Sequence, residues 1–278
     1  MHALPSRAPA RPRPVASSPK PRPPPARSTY RHGDLHRALL EAGIQLAQAG
    51  GPDAVVLREA TRRVGVAPNA AYRHFAGRED LLQAVRAAAL AALAVAMEQE
   101  LAGLQDAAQN ELQKERLKAS RKGMQQRLKK GAQQGVEQGA QQGMEQGIGQ
   151  GMWQGAKAAE LARATLRAVG AGYLRFALTE TGLFRTAFSA PAPVEGDRDP
   201  AKAGGSGLNP FQLLGAALDL LVQSGVLPAE RRPGAEYLAW SAVHGLALLL
   251  IDGPLKGIAP EQVSELGQRL LDMVEKGL

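Results

Sequence analysis

The sequence predicts an all-α protein, on three observations. Aromatic residues make up only 4% of the chain, and alanine and leucine supply most of the apolar surface, a composition that favours helix packing over sheets. Apolar residues recur at helical spacing, and glycine and proline stand where helices would stop and start. With 278 residues, of which 44% are hydrophobic, the chain can form one or two domains with a substantial core.

Residues 1–29 form a basic, proline-rich arm that cannot bury a core, and we expect it to be disordered. Its cations have no acidic neighbours; they are Arg7, Arg11, Arg13, Lys20, Arg22 and Arg27. The whole chain has a net charge of +8 and a pI near 10.0, which is typical of proteins that bind nucleic acid. The arm is therefore either a solvated tail or an extension along phosphates or the minor groove, and both interpretations remain open.

Residues 30–77 predict three short helices. The first runs from about Leu35 to Ala49 with Asp34 as its N-cap, and its buried stripe consists of Leu35, Ala38, Leu39, Ala42 and Leu46. The second, over Leu57–Val64, stops at Gly65, and Pro68 takes the first position of the third. Two short helices joined by a glycine turn are a helix-turn-helix.

The third helix would turn Ala71 and Phe75 toward the core and leave a polar face outside. Such a helix fits the major groove of DNA. Contacts with base edges there determine which sequence is recognised, and contacts with phosphates position the protein on the duplex. We expect Asn69 and Arg73 to contact bases and Tyr72 to suit phosphate oxygens, although an ordinary surface helix is the alternative. The full set of predicted DNA-binding residues is Arg31, His32, Asn69, Ala70, Tyr72, Arg73 and His74.

A connecting helix is predicted over residues 78–104. Glu79 and Asp80 lie in its first turn, where the helix dipole favours acidic side chains. An apolar stripe of Leu82, Val85, Ala89 and Leu93 continues to about Leu101. Residues 105–157 are a Gln/Gly-rich low-complexity insertion, with a glycine at every fourth position from Gly131 to Gly155. It is either disordered or a helical extension that associates with its copy, and we favour a weakly helical arm, since each glycine costs about 1 kcal/mol relative to alanine.

Residues 158–278 predict a helical C-terminal domain. Its first helix carries Leu161, Thr165, Ala168, Val169, Gly172 and Phe176 at helical intervals. Further helices are expected at about Leu183–Phe188, Pro210–Ser224, Ala235–Ile251 and Pro260–Lys276, with a surface loop over residues 191–207.

Composition and motifs exclude several functions. The chain has no cysteine, which removes disulfides and thiolate chemistry and fits a reducing cytoplasm. Five scattered histidines have no metal-ligand spacing, and neither a phosphate loop nor a G-x-S-x-G turn is present. The longest apolar run, Leu238–Ile251, is too short to span a bilayer. We therefore expect no enzyme, cofactor, metal site or membrane association.

Three stretches resemble the TetR family of bacterial transcriptional regulators: YRHGDL (Tyr30–Leu35), LREATRRVGVAPNAAYRHF (Leu57–Phe75) and REDLLQAV (Arg78–Val85). The family usually has Ser or Thr where this chain has Val56, and Ser where it has Ala67, so two helix N-caps lack their side-chain acceptor. In the C-terminal domain, AGYLRFALTETGLFRTAF (Ala171–Phe188) and WSAVHG (Trp240–Gly245) resemble the WHG-type subgroup of that family.

The resemblance implies an all-helical homodimer. Its two N-terminal heads would read a palindromic operator in double-stranded DNA, and its C-terminal domain would bind a small-molecule effector that releases the DNA, as in a repressor. The last two helices would form a four-helix bundle with their copies, for which the candidates are Leu246, Leu249, Leu250, Val263, Leu266, Leu270 and Val274. The alternative is a non-specific DNA-binding or scaffold protein that assembles through the Gln/Gly repeat.

The effector pocket would lie between the helices of the C-terminal domain and be apolar with a few polar groups. Its candidate residues are Tyr173, Phe176, Phe184, Phe188, Trp240 and His244. Each of them, taken singly, also fits an ordinary place in a helical core.

Overall fold

The computed structural model describes residues 32–130 and 145–278. Within these ranges the chain forms nine α-helices, short 3-10 turns and no strand, which confirms the predicted all-α fold class. The helices are α1 (His32–Gly50), α2 (Leu57–Val64), α3 (Pro68–Ala71), α4 (Arg78–Lys130), α5 (Glu145–Thr179), α6 (Thr181–Ala187), α7 (Pro210–Gln223), α8 (Ala235–Ile251) and α9 (Pro260–Gly277).

The first helix has the predicted buried stripe, because Leu35, Leu39, Ala42 and Leu46 are all buried. The predicted start is wrong. The helix begins at His32, which places residue 34 inside the first turn rather than at the cap.

The helix-turn-helix has the predicted bounds for α2 and the predicted start of α3, but α3 ends at Ala71 and the predicted helical residues up to Phe75 form a turn instead. Gly65 ends α2 with a left-handed φ of 76°, and its N–H donates to the Thr61 carbonyl at 2.9 Å. Such a cap favours glycine, which has no Cβ to strain the turn. Neither Val56 nor Ala67 makes a side-chain capping bond to the helix that follows it, as the sequence predicts.

The fourth helix is much longer than the predicted connecting helix. It continues past Leu101 to Lys130 over 53 residues, a length of about 80 Å. The described side chains between residues 105 and 124 are exposed, so this part extends beyond the core. The next helix begins at Glu145, earlier than the predicted start near Ala158. The repeat glycines between residues 131 and 144 lie outside the described residues.

By length and composition, α4 is long and apolar enough to cross a membrane, whereas α8 is too short. The most apolar stretch of α4 has a mean hydropathy of 1.6, and 56% of this stretch is buried inside the protein. Leu81, Val85 and Leu93 of this helix are completely buried. A helix packed in this way is ordinary for the core of a globular protein.

The body of the protein is built around the pairing of α4 with α5. Gly172 of α5 sits against α4 so closely that an added Cβ would lie 2.6 Å from the Met97 Cα atom. The buried face of α5 consists of Ala162, Leu166, Val169, Tyr173 and Ala177. Leu161, predicted on the apolar face, is instead 51% exposed.

Two elements of the body hold the three-helix head. The first is the start of α4, where an added Cβ on Gly43 of α1 would lie 2.8 Å from Val85. The second is α6: an added Cβ on Gly182 would lie 2.5 Å from the Gln48 carbonyl oxygen of α1 and closer still to that of Ala47. The head and the body therefore share one continuous core.

The last three helices follow the predicted bounds to within a residue. Asn209 caps α7 with a complete capping box, in which its side chain accepts from the Gln212 N–H. The predicted dimer residues do not share one exposed face, however. Leu246 and Leu250 are buried within their own chain, because they lie on the inner side of α8.

Candidate DNA-binding surface and ligand cavity

The surface of α3 and the turn after it carries polar side chains on a well-anchored base. Ala71 and Phe75 are buried, and the Phe75 N–H donates to the Ala71 carbonyl at 2.9 Å, so the turn stays in place. Asn69, Tyr72 and Arg73 are exposed, Tyr72 by 59%. Within the described residues, none of these three side chains has a hydrogen bond or an ion pair. They are therefore free to contact a ligand outside the chain.

Two predicted DNA-binding residues are less accessible than the sequence suggests. Ala70 is half-buried and packs against the core. His74 is also half-buried and meets the His36 ring edge-on, at a centroid distance of 6.2 Å. His36 in turn stacks on Phe75 at 4.7 Å. Arg31 and the side chain of His32 lie outside the described residues.

The body contains a cavity of about 570 Å³, a size that suits a drug-like molecule. Its wall is formed by α4, α5, α7, α8 and α9, by residues 187–194, which begin at the last residue of α6 and continue into the loop after it, and by Asp197, Lys202 and Asn209 before α7. Most of the wall is apolar. Val274, predicted at the dimer interface, is one of the residues that line this cavity.

One side of the cavity carries a hydrogen-bonded chain of three side chains. The Trp240 N–H donates to the Tyr173 hydroxyl at 3.0 Å, which leaves that hydroxyl to donate to His244 Nδ1 at 2.7 Å. This arrangement fits a neutral imidazole with its proton on Nε2. Burial lowers the pKa of His244, and burial raises the pKa of Tyr173 although the bond from Trp240 opposes it. All three groups are therefore uncharged near neutral pH.

Four of the six predicted pocket residues line the cavity: Tyr173, Phe188, Trp240 and His244. The other two are not among its lining residues. Phe184 is fully buried, with its ring 5.6 Å from that of Tyr173 and 5.1 Å from that of Phe188, so it supports the wall from behind. Phe176 is likewise buried in the core.

Arg86 is a wall residue that the sequence reasoning missed. It is only 8% exposed and lines the cavity. Its terminal nitrogens donate to the Ala190 carbonyl at 2.6 Å and to Gln83 Oε1 at 3.2 Å, whereas its Nε atom is buried without a partner. A signal was present, because Arg86 stands four residues from both Leu82 and Leu90, on the apolar stripe of the helix.

Two family models match the chain. Residues 39–85, from α1 through the helix-turn-helix to the start of α4, match the model described as "Bacterial regulatory proteins, tetR family". Residues 166–274, from α5 to α9, match the model described as "Tetracyclin repressor-like, C-terminal domain". The chain belongs to the TetR family. Its helix-turn-helix is thus the DNA-binding part of a bacterial transcriptional regulator.

Other comparisons bear on the fold of this TetR-family protein. A solved structure, described as that of a protein with unknown function from Rhodococcus sp. RHA1, matches with a TM-score of 0.56 and 21% identity. The match covers 91% of this chain and 99% of the other. At this identity it shows a shared fold alone. No curated protein matches the chain.

Proposed function

We propose that this TetR-family protein is a ligand-responsive repressor, without catalytic activity, that acts in the cytoplasm. It binds a palindromic operator as a homodimer and leaves the DNA when a small molecule occupies the cavity. The observation that carries this proposal is the position of the cavity between the two elements that hold the head. Gln83 and Arg86 of its wall lie within the first three turns of α4, and residues 187–194 run from the last residue of α6 into the loop after it.

A ligand can act on the head through these two elements. Both α4 and α6 pack against α1, so a shift of either at the cavity moves the head relative to the body. A ligand that binds better to one head position than to another lowers the DNA affinity of the protein by linkage. The effect is limited to the difference between the ligand affinities of the two states.

The exposed face of the head supplies the DNA contacts in this proposal. Asn69 and Arg73 contact base edges and Tyr72 contacts a phosphate, because their side chains are free and lie on α3 and the turn directly after it. Ala70 lies close to the same groove, and His74, which packs beside His36, makes a further contact with the DNA. Arg31 and His32 remain predicted phosphate contacts.

An exposed apolar face of α8 supports a dimer. Leu238 is 66% exposed, and Leu248 and Leu249 are each 43% exposed. Gly245 lies between them, and a Cβ added there would meet nothing within 4 Å. Because glycine costs about 1 kcal/mol relative to alanine inside a helix, an open glycine on an apolar face favours the close approach of another helix. A second copy of α8 fits this face.

Two-fold symmetry then fixes the form of the operator. A symmetric dimer presents the same head twice, so its DNA site is an inverted repeat. Two heads that enter successive major grooves on one side of the duplex lie about 34–36 Å apart. In this proposal, the ligand changes the distance between the two heads.

The dimer is tested by placing a charge on the α8 face. We expect Leu249→Arg to sediment as a monomer at concentrations where the parent protein is a dimer, because the buried interface cannot solvate a guanidinium. Arg269→Ala on α9 is the control, since that arginine side chain is 75% exposed. The proposed interface is wrong if the parent protein sediments as a monomer, or if the Leu249→Arg variant stays dimeric.

The DNA contacts are tested by a gel shift with a pool of random duplexes. We expect Tyr72→Ala and Arg73→Ala each to weaken binding by about 1–3 kcal/mol, while circular dichroism shows an unchanged helix content. Arg269→Ala again controls for the loss of one positive charge. If both variants bind duplex as well as the parent protein does, the head does not read DNA, and the non-specific alternative is the better account.

A further inference from the structure

Arg86 is a buried cation that lacks an anion. Its side chain is more than nine-tenths buried, and no carboxylate of the described residues lies within ion-pair distance of it. Its two hydrogen bonds go to a neutral amide and a neutral carbonyl, and Nε has no partner at all. A buried guanidinium remains charged, so leaving it without a counter-charge is costly.

Each of the other basic residues of the cavity wall that carry a full charge has a carboxylate partner within the chain. Arg167 pairs with the buried carboxylate of Glu275, which it shares with Arg163. Lys202 pairs with Asp197 at 2.6 Å, and this bond holds the pKa of Asp197 below its usual range. Among the charged basic residues of the described cavity wall, Arg86 is therefore the one without a carboxylate partner.

The rest of the wall fits an apolar molecule. Leu90, Met97, Phe188, Phe211 and Leu214 line it, and the Phe188 ring lies 6.0 Å from that of Trp240. Burial of apolar ligand surface against these side chains stabilises binding by about 25 cal/mol per Å². The wall therefore suits a ligand that is mostly apolar and has a negative charge close to Arg86.

We propose that the effector is an amphipathic organic acid, whose carboxylate binds the Arg86 guanidinium and whose apolar body fills the aromatic part of the cavity. The inference rests on the proposed function for its regulatory meaning, but the binding site itself does not depend on DNA. A carboxylate is the smallest group that matches the planar fork of a guanidinium. Its single charge also balances the single unpaired cation, which a phosphate dianion would not.

The first experiment measures ligand preference in the unaltered protein, without DNA. Isothermal titration calorimetry compares laurate with lauryl alcohol, and naphthylacetate with naphthylacetamide, so that each pair shares one apolar body. We expect the acid of at least one pair to bind about 10- to 100-fold more tightly than its neutral partner. Equal affinities within both pairs, or no binding by either acid up to its solubility limit, overturn the proposal.

The second experiment assigns the preference to Arg86. We expect Arg86→Gln to abolish the difference between acid and neutral partner, and Arg86→Lys to retain part of it, because the charge remains but the fork is lost. Arg175→Gln is the matched control, since this arginine pairs with Glu100 and neither residue is part of the cavity wall. An acid preference that survives in Arg86→Gln places the anion elsewhere and overturns the assignment.

The same acids are then added to the protein bound to the random duplex pool. Acid binding that depends on Arg86 but does not release DNA leaves this inference intact and contradicts the ligand response in the proposed function. Release of the DNA by lauryl alcohol or naphthylacetamide, with no binding of the acids, supports the ligand response in the proposed function and contradicts this inference. The two proposals therefore fail by different observations.

Discussion

Replacing Gly182 with alanine tests the contact through which α6 supports the head. Gly182 is the second residue of α6 and is buried against the C-terminal end of α1. An added Cβ would lie 2.5 Å from the Gln48 carbonyl oxygen and closer still to that of Ala47. The atoms in the way belong to the backbone, so no side chain can rotate to make room.

The cost of this substitution follows from the required shift. A Cβ normally lies about 3.4 Å or more from a neighbouring atom, so α6 must move away from α1 by nearly an ångström or more. Overpacking of this kind costs about 1–3 kcal/mol. Since about 2–4 °C of melting temperature corresponds to 1 kcal/mol at this chain length, we expect a loss of about 2–12 °C. We also expect weaker retention of duplex DNA, because the head is displaced.

Gly267→Ala is the matched control. Gly267 lies inside α9, where an added Cβ would be 3.6 Å from the Leu174 side chain, an ordinary contact. Its replacement should raise stability by up to about 1 kcal/mol through helix propensity. Urea denaturation at one protein concentration, followed by circular dichroism, compares the two variants. If Gly182→Ala is as stable as Gly267→Ala, α6 does not hold the head in the way described.

Three further predictions concern caps and the cavity. Val56→Ser and Ala67→Ser supply the missing N-cap acceptors, so each should raise the free energy of unfolding by about 1 kcal/mol in urea denaturation. Asn209→Ala removes the capping box of α7 and should lower it by about 1–2 kcal/mol. Burial lowers the pKa of His244, so below pH 6.5 the unfolded chain takes up a proton that the native protein resists, and stability falls as pH falls. His244→Asn should flatten this dependence between about pH 7 and pH 5 in urea midpoints.

Each of these predictions has a contrary result. A serine at 56 or 67 that leaves stability unchanged shows that the side chain does not reach the helix N–H groups. An Asn209→Ala variant as stable as the parent protein shows that the capping bonds contribute nothing net. An unchanged pH slope in His244→Asn means that other groups carry the acid sensitivity.

The helix bounds were predictable where stop and start residues coincide with apolar periodicity. Gly65 and Pro68 fix the turn of the helix-turn-helix, and Pro260 fixes the start of α9. The end of α4 was not predictable for the opposite reason, although a helical extension was one of the two alternatives for this segment. Residues 105–130 have no apolar stripe, so their abundance of good helix formers, alanine, glutamine and lysine, was the remaining signal.

The candidate site was predictable only in part. The exposed face of α3 and of the turn after it follows from the burial of Ala71 and Phe75 on the other side. Arg86 was missed because a single arginine in a helix usually belongs to the solvated face. Phe176 and Phe184 show the converse difficulty, since an aromatic residue at helical spacing looks the same on a cavity wall and in the core behind it.

The central claim, that a pair of these heads reads DNA by sequence, is tested most directly by selecting bound duplexes from a random pool. The account predicts enrichment of an inverted repeat whose half-site centres lie about one DNA turn apart, roughly 34–36 Å. A pool that remains random after repeated selection, with duplex still retained by the protein, would contradict it.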